Sequence, residues 1–229
     1  MRKYTFNDFP YKFIVIDNYC EEDEYLKLEK NFPYFPLVEN KSMRVSALKK
    51  SFKFDKKIWG SFIYNHLTRE YFESTCLLFE DHLIKWRPKI WEKIKSKKYT
   101  FGNRQSNAEI QYEFKFGIGN NEFTSGKEST VHVDFQNKIF QSMIYFKHPE
   151  DTSTGGNIHI TNVKKDGSFC NTVKCNYIQN RCFIFPHHPS GWHFVSERKS
   201  EYVRKGAGAI FTVREDLQEI SPEFFGQKI

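Results

Sequence analysis

His132-Val133-Asp134 places an imidazole and a carboxylate two residues apart. On a β-strand, residues i and i+2 point the same way. His132 and Asp134 therefore project together, and Val133 faces the opposite side. A second histidine arriving from elsewhere would complete a set of two histidines and one carboxylate. Such a facial set leaves coordination positions open and is the ligand pattern of non-haem Fe(II). An HxD tripeptide is common by chance, so the rest of the chain has to supply both the third ligand and the frame that brings it near.

Five histidines follow the tripeptide: His148, His159, His187, His188 and His193. His148 precedes Pro149 in a loop, His159 lies in the strand-like GGNIHI, and His187 and His188 lie in the turn-like FPHHPSG. His193 opens the apolar run WHFV, and Arg204 follows it by eleven residues. Only His193 combines a strand, a turn and a returning cation. A guanidinium at the end of the next antiparallel strand would suit a bidentate grip on a carboxylate. His132, Asp134 and His193 are therefore the candidate metal ligands, and Arg204 the candidate anion site.

The elements that must position these residues divide the chain. Residues 12–17, KFIVID, read as a buried strand. A helix near 21–31 follows, with Asn18 as a candidate N-cap and Glu21, Glu22 and Asp23 in the first turn. Residues 56–67 and 69–86 carry apolar stripes at helical spacing (Ile58, Trp59, Phe62, Ile63, Leu67, then Phe72, Cys76, Phe79, Leu83, Trp86), and Pro88 breaks or kinks the second. Trp86 to Lys98 is basic with two tryptophans; it reads as a solvated amphipathic helix end, or as a surface that stacks on nucleic acid. From about residue 99 the texture changes to short runs bounded by Gly, Pro, Asn or Asp: 109–116, 129–135, 140–146, 157–161, 176–178, 182–185, 192–195 and 209–213. About eight strands after a helical third predict an α+β protein: a double-stranded β-helix, a cupin-like jelly roll, with a helical layer packed on one sheet. We read residues 1–229 as one domain, with a mainly helical part over 1–98, a jelly-roll core over 99–216 and a tail over 217–229.

The ordered series HVD (132–134), SMIYF (142–146), Gly155-Gly156, NRCFIF (180–185), Trp192-His193 and a cation-bearing last strand resembles the prolyl-4-hydroxylase-type branch of the Fe(II)/2-oxoglutarate-dependent dioxygenases. The resemblance covers roughly residues 109 to 216, and FIVIDNYCEEDEYLKL looks like the usual entry of such enzymes. It implies that His132, Asp134 and His193 bind Fe(II), with 2-oxoglutarate and O2 as cosubstrates and ascorbate as a further cofactor. It implies decarboxylation to succinate coupled to hydroxylation of a prolyl or other protein residue, an amino acid or a small metabolite. Arg204 would hold the far carboxylate of 2-oxoglutarate; Lys205 is the alternative if the strand register differs, and Lys147 serves if neither faces the cleft. Relatives often carry tyrosines that reach the cosubstrate. Here phenylalanine stands at 114, 116 and 146, which leaves Tyr145 and Tyr112 as candidates. Loops 117–129, 150–154 and 187–191 would contact the substrate.

Composition bounds the remaining classes. Among 229 residues there are 24 phenylalanines, and charged residues make up 28%, which fits a packed globular chain. The net charge of +7 permits an anionic partner. Nucleic-acid dealkylation is the rival within the same chemistry, but the RxNxTxR signature of such dealkylases is absent from the last strand. A non-catalytic jelly-roll binding protein is the rival from another class. Five cysteines without a CxxC fit reduced thiols in the cytoplasm. The N-terminus has no secretory h-region, and no run nears the ~18 apolar residues of a membrane span.

Overall fold

A computed structural model describes residues 1–34, 43–119, 131–164 and 167–219. The strands are β1 (Lys3–Asn7), β2 (Phe13–Asp17), β3 (Met43–Ser46), β4 (Phe101–Asn103), β5 (Ile110–Gly119), β6 (Lys138–Tyr145), β7 (Ile158–Val163), β8 (Phe169–Cys175), β9 (Cys182–Pro186), β10 (Trp192–Val195) and β11 (Arg204–Val213). The helices are α1 (Glu22–Lys30), α2 (Lys56–Asn65), α3 (Arg69–Leu78), α4 (Glu80–Trp86) and α5 (Pro88–Ser96).

The large sheet runs β1-β2-β9-β6-β11-β5-β3, with β4 joined in parallel to β5. The small sheet runs β10-β7-β8, and an isolated bridge between His132 and His193 extends it by one position. From β5 onward the chain crosses between the two sheets: β5 large, His132 small, β6 large, β7 and β8 small, β9 large, β10 small, β11 large. That alternation is the double-stranded β-helix expected from the sequence.

Period-two alternation sorts side chains between two cores. Phe114, Phe116, Phe140, Ile144, Phe146, Ile184, Ala207, Ala209 and Phe211 face the helices and pack with Leu28, Trp59, Phe62, Phe72 and Leu83. Phe13, Val15, Tyr145, Ile158, Ile160, Tyr177, Phe183 and Phe185 fill the space between the sheets. The phenylalanine excess has its use in the first core. Trp59 meets the Phe116 and Phe146 rings edge-on at 4.8 and 5.2 Å, and such pairs add to the area they bury. Residues 86–98 belong to the same core, because Ile90, Trp91 and Ile94 of α5 are buried in it. Trp86 abuts the His188 ring at 4.9 Å.

Several local expectations change. Asn18 does not cap α1; it adopts a left-handed turn at φ 51°, which asparagine tolerates, and Glu21 takes the cap position. The 69–86 stripe is two helices, because Phe79 leaves helical geometry at φ −116° and ψ 23°. Pro88 starts a helix at its first turn, where a missing N–H costs nothing. The strand expected at 176–178 lies earlier, as β8. Of the strand expected at 129–135, His132 pairs in the isolated bridge, and residues 129 and 130 lie outside the described ones. Residues 1–98 also supply β1, β2 and β3 to the large sheet, so that part is not only helical. Of the tail, residues 220–229 lie outside the described ones, while the Glu219 carboxylate accepts from Lys89 N and Ile90 N at the start of α5.

Candidate functional site

His132 and His193 are locked side by side by their backbones. His132 N donates to His193 O at 3.1 Å, and His193 N donates to His132 O at 3.0 Å. Their ring centroids are 4.4 Å apart. One ligand atom each from His132, Asp134 and His193 lies within 4.8 Å of the other two. The Gly191 carbonyl lies 2.9 Å from His193 Nδ1 and accepts its proton, so the Nε2 lone pair is left facing Asp134 Oδ2, 4.0 Å away. Burial lowers His193 to about 4 against the upward pull of Asp134, so this imidazole is neutral near pH 7.

Burial alone would raise the Asp134 carboxyl, but Lys138 and then His193 overcome it and hold the group well below the usual carboxylate range. Lys138 Nζ lies 2.7 Å from Asp134 Oδ2 and donates to Gln141 Oε1 at 2.7 Å. In a regular strand Lys138 would share a face with Phe140 and point at the helices. A register shift between Phe211 and Thr212 of β11 lets Lys138 pair with Thr212 and turns it to the side of Gln141. An ionised carboxylate, an imidazole lone pair aimed at it and a second imidazole alongside suit a divalent transition metal.

A brace stands behind this group. His187 Nε2 donates to the Asp134 carbonyl at 2.9 Å, and Arg87 donates to His187 Nδ1 at 3.0 Å. His82 Nε2 donates to the His187 carbonyl at 2.9 Å. Burial and then Arg87 push His187 down to about 3, which keeps it neutral. Through Arg87 and His82 the helical layer fixes the backbone that carries Asp134.

In front lies a cavity of about 400 Å³, lined among others by His132, His193, Gln141, Arg204, Lys115 and Arg44. Its floor is formed where Gly206 of β11 pairs with Gly117 of β5, and Gly208 lines it one step further along. A Cβ at Gly208 would fall 1.9 Å from the Ser142 carbonyl oxygen, so no larger residue fits that position without moving the strands. Ser142 and Met143 line the cavity as well, whereas Ile144 and Phe146 turn to the helices.

Arg204 enters from the last strand. Its Nε donates to the Gly156 carbonyl at 2.8 Å, and its guanidinium lies 5.2 and 5.1 Å from the Tyr145 and Tyr177 ring centroids. Gly156 holds φ 63°, and a Cβ there would sit 2.9 Å from Arg198 Cδ and 3.2 Å from Arg204 Cδ. The Gly155-Gly156 pair is thus the seat of the arginine. Tyr145 does not line the cavity; it is buried between the sheets beside Arg204, and its hydroxyl has no hydrogen-bond partner among the described residues.

Three sequence candidates lie elsewhere. Tyr112 shares a face of β5 with Phe114 and Phe116 and packs on Phe101 at 5.1 Å, away from the cavity. Lys205 points to the helical side and pairs with Glu29 of α1. Lys147 donates to the Ser153 carbonyl at 2.7 Å. The loop at 150–154 is tied down by a buried Asp151–Arg198 ion pair. His148, His159 and His188 stack on Tyr202, Phe194 and Tyr11.

No family model and no curated protein matches this chain. Solved structures do. A prolyl 4-hydroxylase from Phytophthora capsici aligns at 11% identity over 90% of this chain and 60% of its own, with a TM-score of 0.53. A Pseudomonas putida prolyl-4-hydroxylase aligns at 10% identity over 88% of this chain and 92% of its own, at 0.43. The viral collagen prolyl hydroxylase of Paramecium Bursaria Chlorella virus-1, in complex with 2OG, aligns at 12% over 89% and 96%, at 0.45. At these identities the likeness to the Phytophthora protein shows a shared fold.

Proposed function

We propose that this chain is an Fe(II)- and 2-oxoglutarate-dependent dioxygenase that hydroxylates a small-molecule or peptidyl substrate. The observation that carries the reading is the convergence of His132, Asp134 and His193, with ligand atoms within 4.8 Å, on a cavity whose wall also holds Arg204. The three side chains would hold Fe(II), and Arg204, packed on the buried Tyr145 ring, would hold the far carboxylate of 2-oxoglutarate. When bound, iron and cosubstrate supply the oxidising chemistry: 2-oxoglutarate loses CO2 to give succinate, and one oxygen atom of O2 enters the substrate. The protein's own part is positional. His193 presents Nε2 because Gly191 takes its other proton. Asp134 stays ionised beside Lys138. The glycine floor leaves room for the cosubstrate, and Ile158, Val195 and Ile210 line the cavity with apolar surface that excludes water.

Among the described residues no helix is long and apolar enough to cross a membrane. The five unbonded cysteines fit a reducing compartment, and we place the protein in the cytoplasm. The test is succinate formation from 2-oxoglutarate with Fe(II) and ascorbate. Turnover should require iron and fall to background in Asp134→Ala; equal turnover in wild type and Asp134→Ala would overturn the reading.

A further inference from the structure

Among the described residues the cavity lining carries more cationic side chains than a metal and 2-oxoglutarate use. Among the described residues three cations line it: Lys115, Arg204 and Arg44. Two of them are accounted for. Lys115 lies 3.2 Å from Glu113, which Arg104 also meets at 3.1 Å. Arg204 is nearly buried in its seat on Gly156, the position proposed above for the cosubstrate. The Asp134 charge is balanced by Lys138.

Arg44 is built differently. It lies on β3, the edge strand, paired with Gly117, whose other neighbour is Gly206. No side chain on either glycine stands between Arg44 and the centre of the cavity. Arg44 lines the cavity, where Asp134 and Arg204 both act on its charge. Among the described residues no carboxylate lies within ion-pair distance of it. An arginine held by backbone pairing at the mouth of a cavity is a geometric match for a carboxylate or phosphate. In a cleft with low-dielectric walls, such a charge also concentrates anions from solution.

We infer that the substrate carries an anionic group, a carboxylate or a phosphate, and that Arg44 binds it so that the neighbouring carbon faces His132, Asp134 and His193. The inference rests on the dioxygenase reading and narrows it to an acidic substrate class. Arg44 serves specificity here, while Arg204 serves the cosubstrate.

The experiment uses the full chain loaded with Ni(II) and N-oxalylglycine. Binding of both by the wild type is measured first, and failure at this step overturns the dioxygenase reading rather than this inference. Paired probes are then titrated by calorimetry: N-acetylproline against N-acetylprolinamide, N-acetylleucine against its amide, and glycerol 3-phosphate against glycerol. The expected result is a preference of about tenfold or more for the acid of at least one pair. Arg44→Gln should bring that ratio close to one, and Arg44→Lys should restore part of it. Acid pairs that prefer phosphate distinguish a phosphorylated substrate from a carboxylic one. No acid preference in any pair, a preference that survives in Arg44→Gln, or an equal loss of N-oxalylglycine affinity in that variant would each overturn the inference.

Discussion

The adjacent residues Arg204 and Lys205 give a sharp test of the site, because strand alternation sends them to opposite faces of one sheet. Arg204 is 8% exposed, so solvent screens it little. Truncating one partner of a buried, hydrogen-bonded charge pair costs ~2–5 kcal/mol. Arg204→Gln keeps a polar group near the Gly156 carbonyl but removes the charge, so we take the lower part of that range, ~2–4 kcal/mol. At about 1.4 kcal/mol per factor of ten, the affinity for 2-oxoglutarate should fall ~30- to 700-fold. Lys205→Gln instead removes the partner of Glu29 on the helical side. It should cost ~1–3 kcal/mol of stability and leave cosubstrate affinity within about twofold, inside the ~0.5 kcal/mol scatter of distant sites. Anaerobic calorimetry of 2-oxoglutarate on the Ni(II)-loaded proteins reads the first quantity, and thermal unfolding reads the second. Equal loss of affinity in both variants, or none in Arg204→Gln, would refute the assignment by strand face.

Two further outcomes concern the frame. His66 is buried between Tyr19 Oη and the Phe62 carbonyl, and burial lowers it from 6.5 to about 4. The unfolded chain takes up this proton near pH 6.5 and the folded one only near 4, so folding stability should decrease as pH falls through that window, by up to ~3 kcal/mol from this residue. Urea unfolding at pH 7 and pH 4.5 should show a smaller difference for His66→Gln than for wild type; an unchanged difference contradicts the assignment. Asp151→Asn leaves the Arg198 guanidinium buried without its ion-pair partner, which costs ~3–5 kcal/mol, or roughly a 10 °C fall in Tm for a chain of this size. A shift below about 3 °C would show that the pair does not anchor the 150–154 loop.

How much of this was legible in the sequence depends on the kind of pattern that encodes each part. The HxD spacing flags His132 and Asp134, although only His132 pairs, in an isolated bridge, and residues 133–135 are not strand; a turn and a returning strand flag His193 and Arg204. The facing of Tyr112 is present in the sequence: in EIQYEFKF it shares a parity with Phe114 and Phe116, and that face is the core. The cavity floor was also written plainly, as glycine at every second position in KGAGA, but its meaning needs the neighbouring strands. The facing of Lys138 has no local signal, because a bulge in β6, where Ile139 is skipped between the Phe140 and Lys138 pairings, decides it. Arg44 lies on a four-residue edge strand too short to show a period. The brace of Arg87, His187 and His82 joins residues about a hundred positions apart, a contact no local pattern announces.

The central claim is tested most directly by the metal itself. Anaerobic Co(II) titration of the purified chain, followed by d–d absorption, should saturate at one equivalent, and the band should shift when 2-oxoglutarate is added. His132→Ala, Asp134→Ala and His193→Ala, each folded by circular dichroism, should lose that band. A wild type that binds no Co(II), or three variants that bind it as the wild type does, would contradict the assignment of these residues as a metal centre.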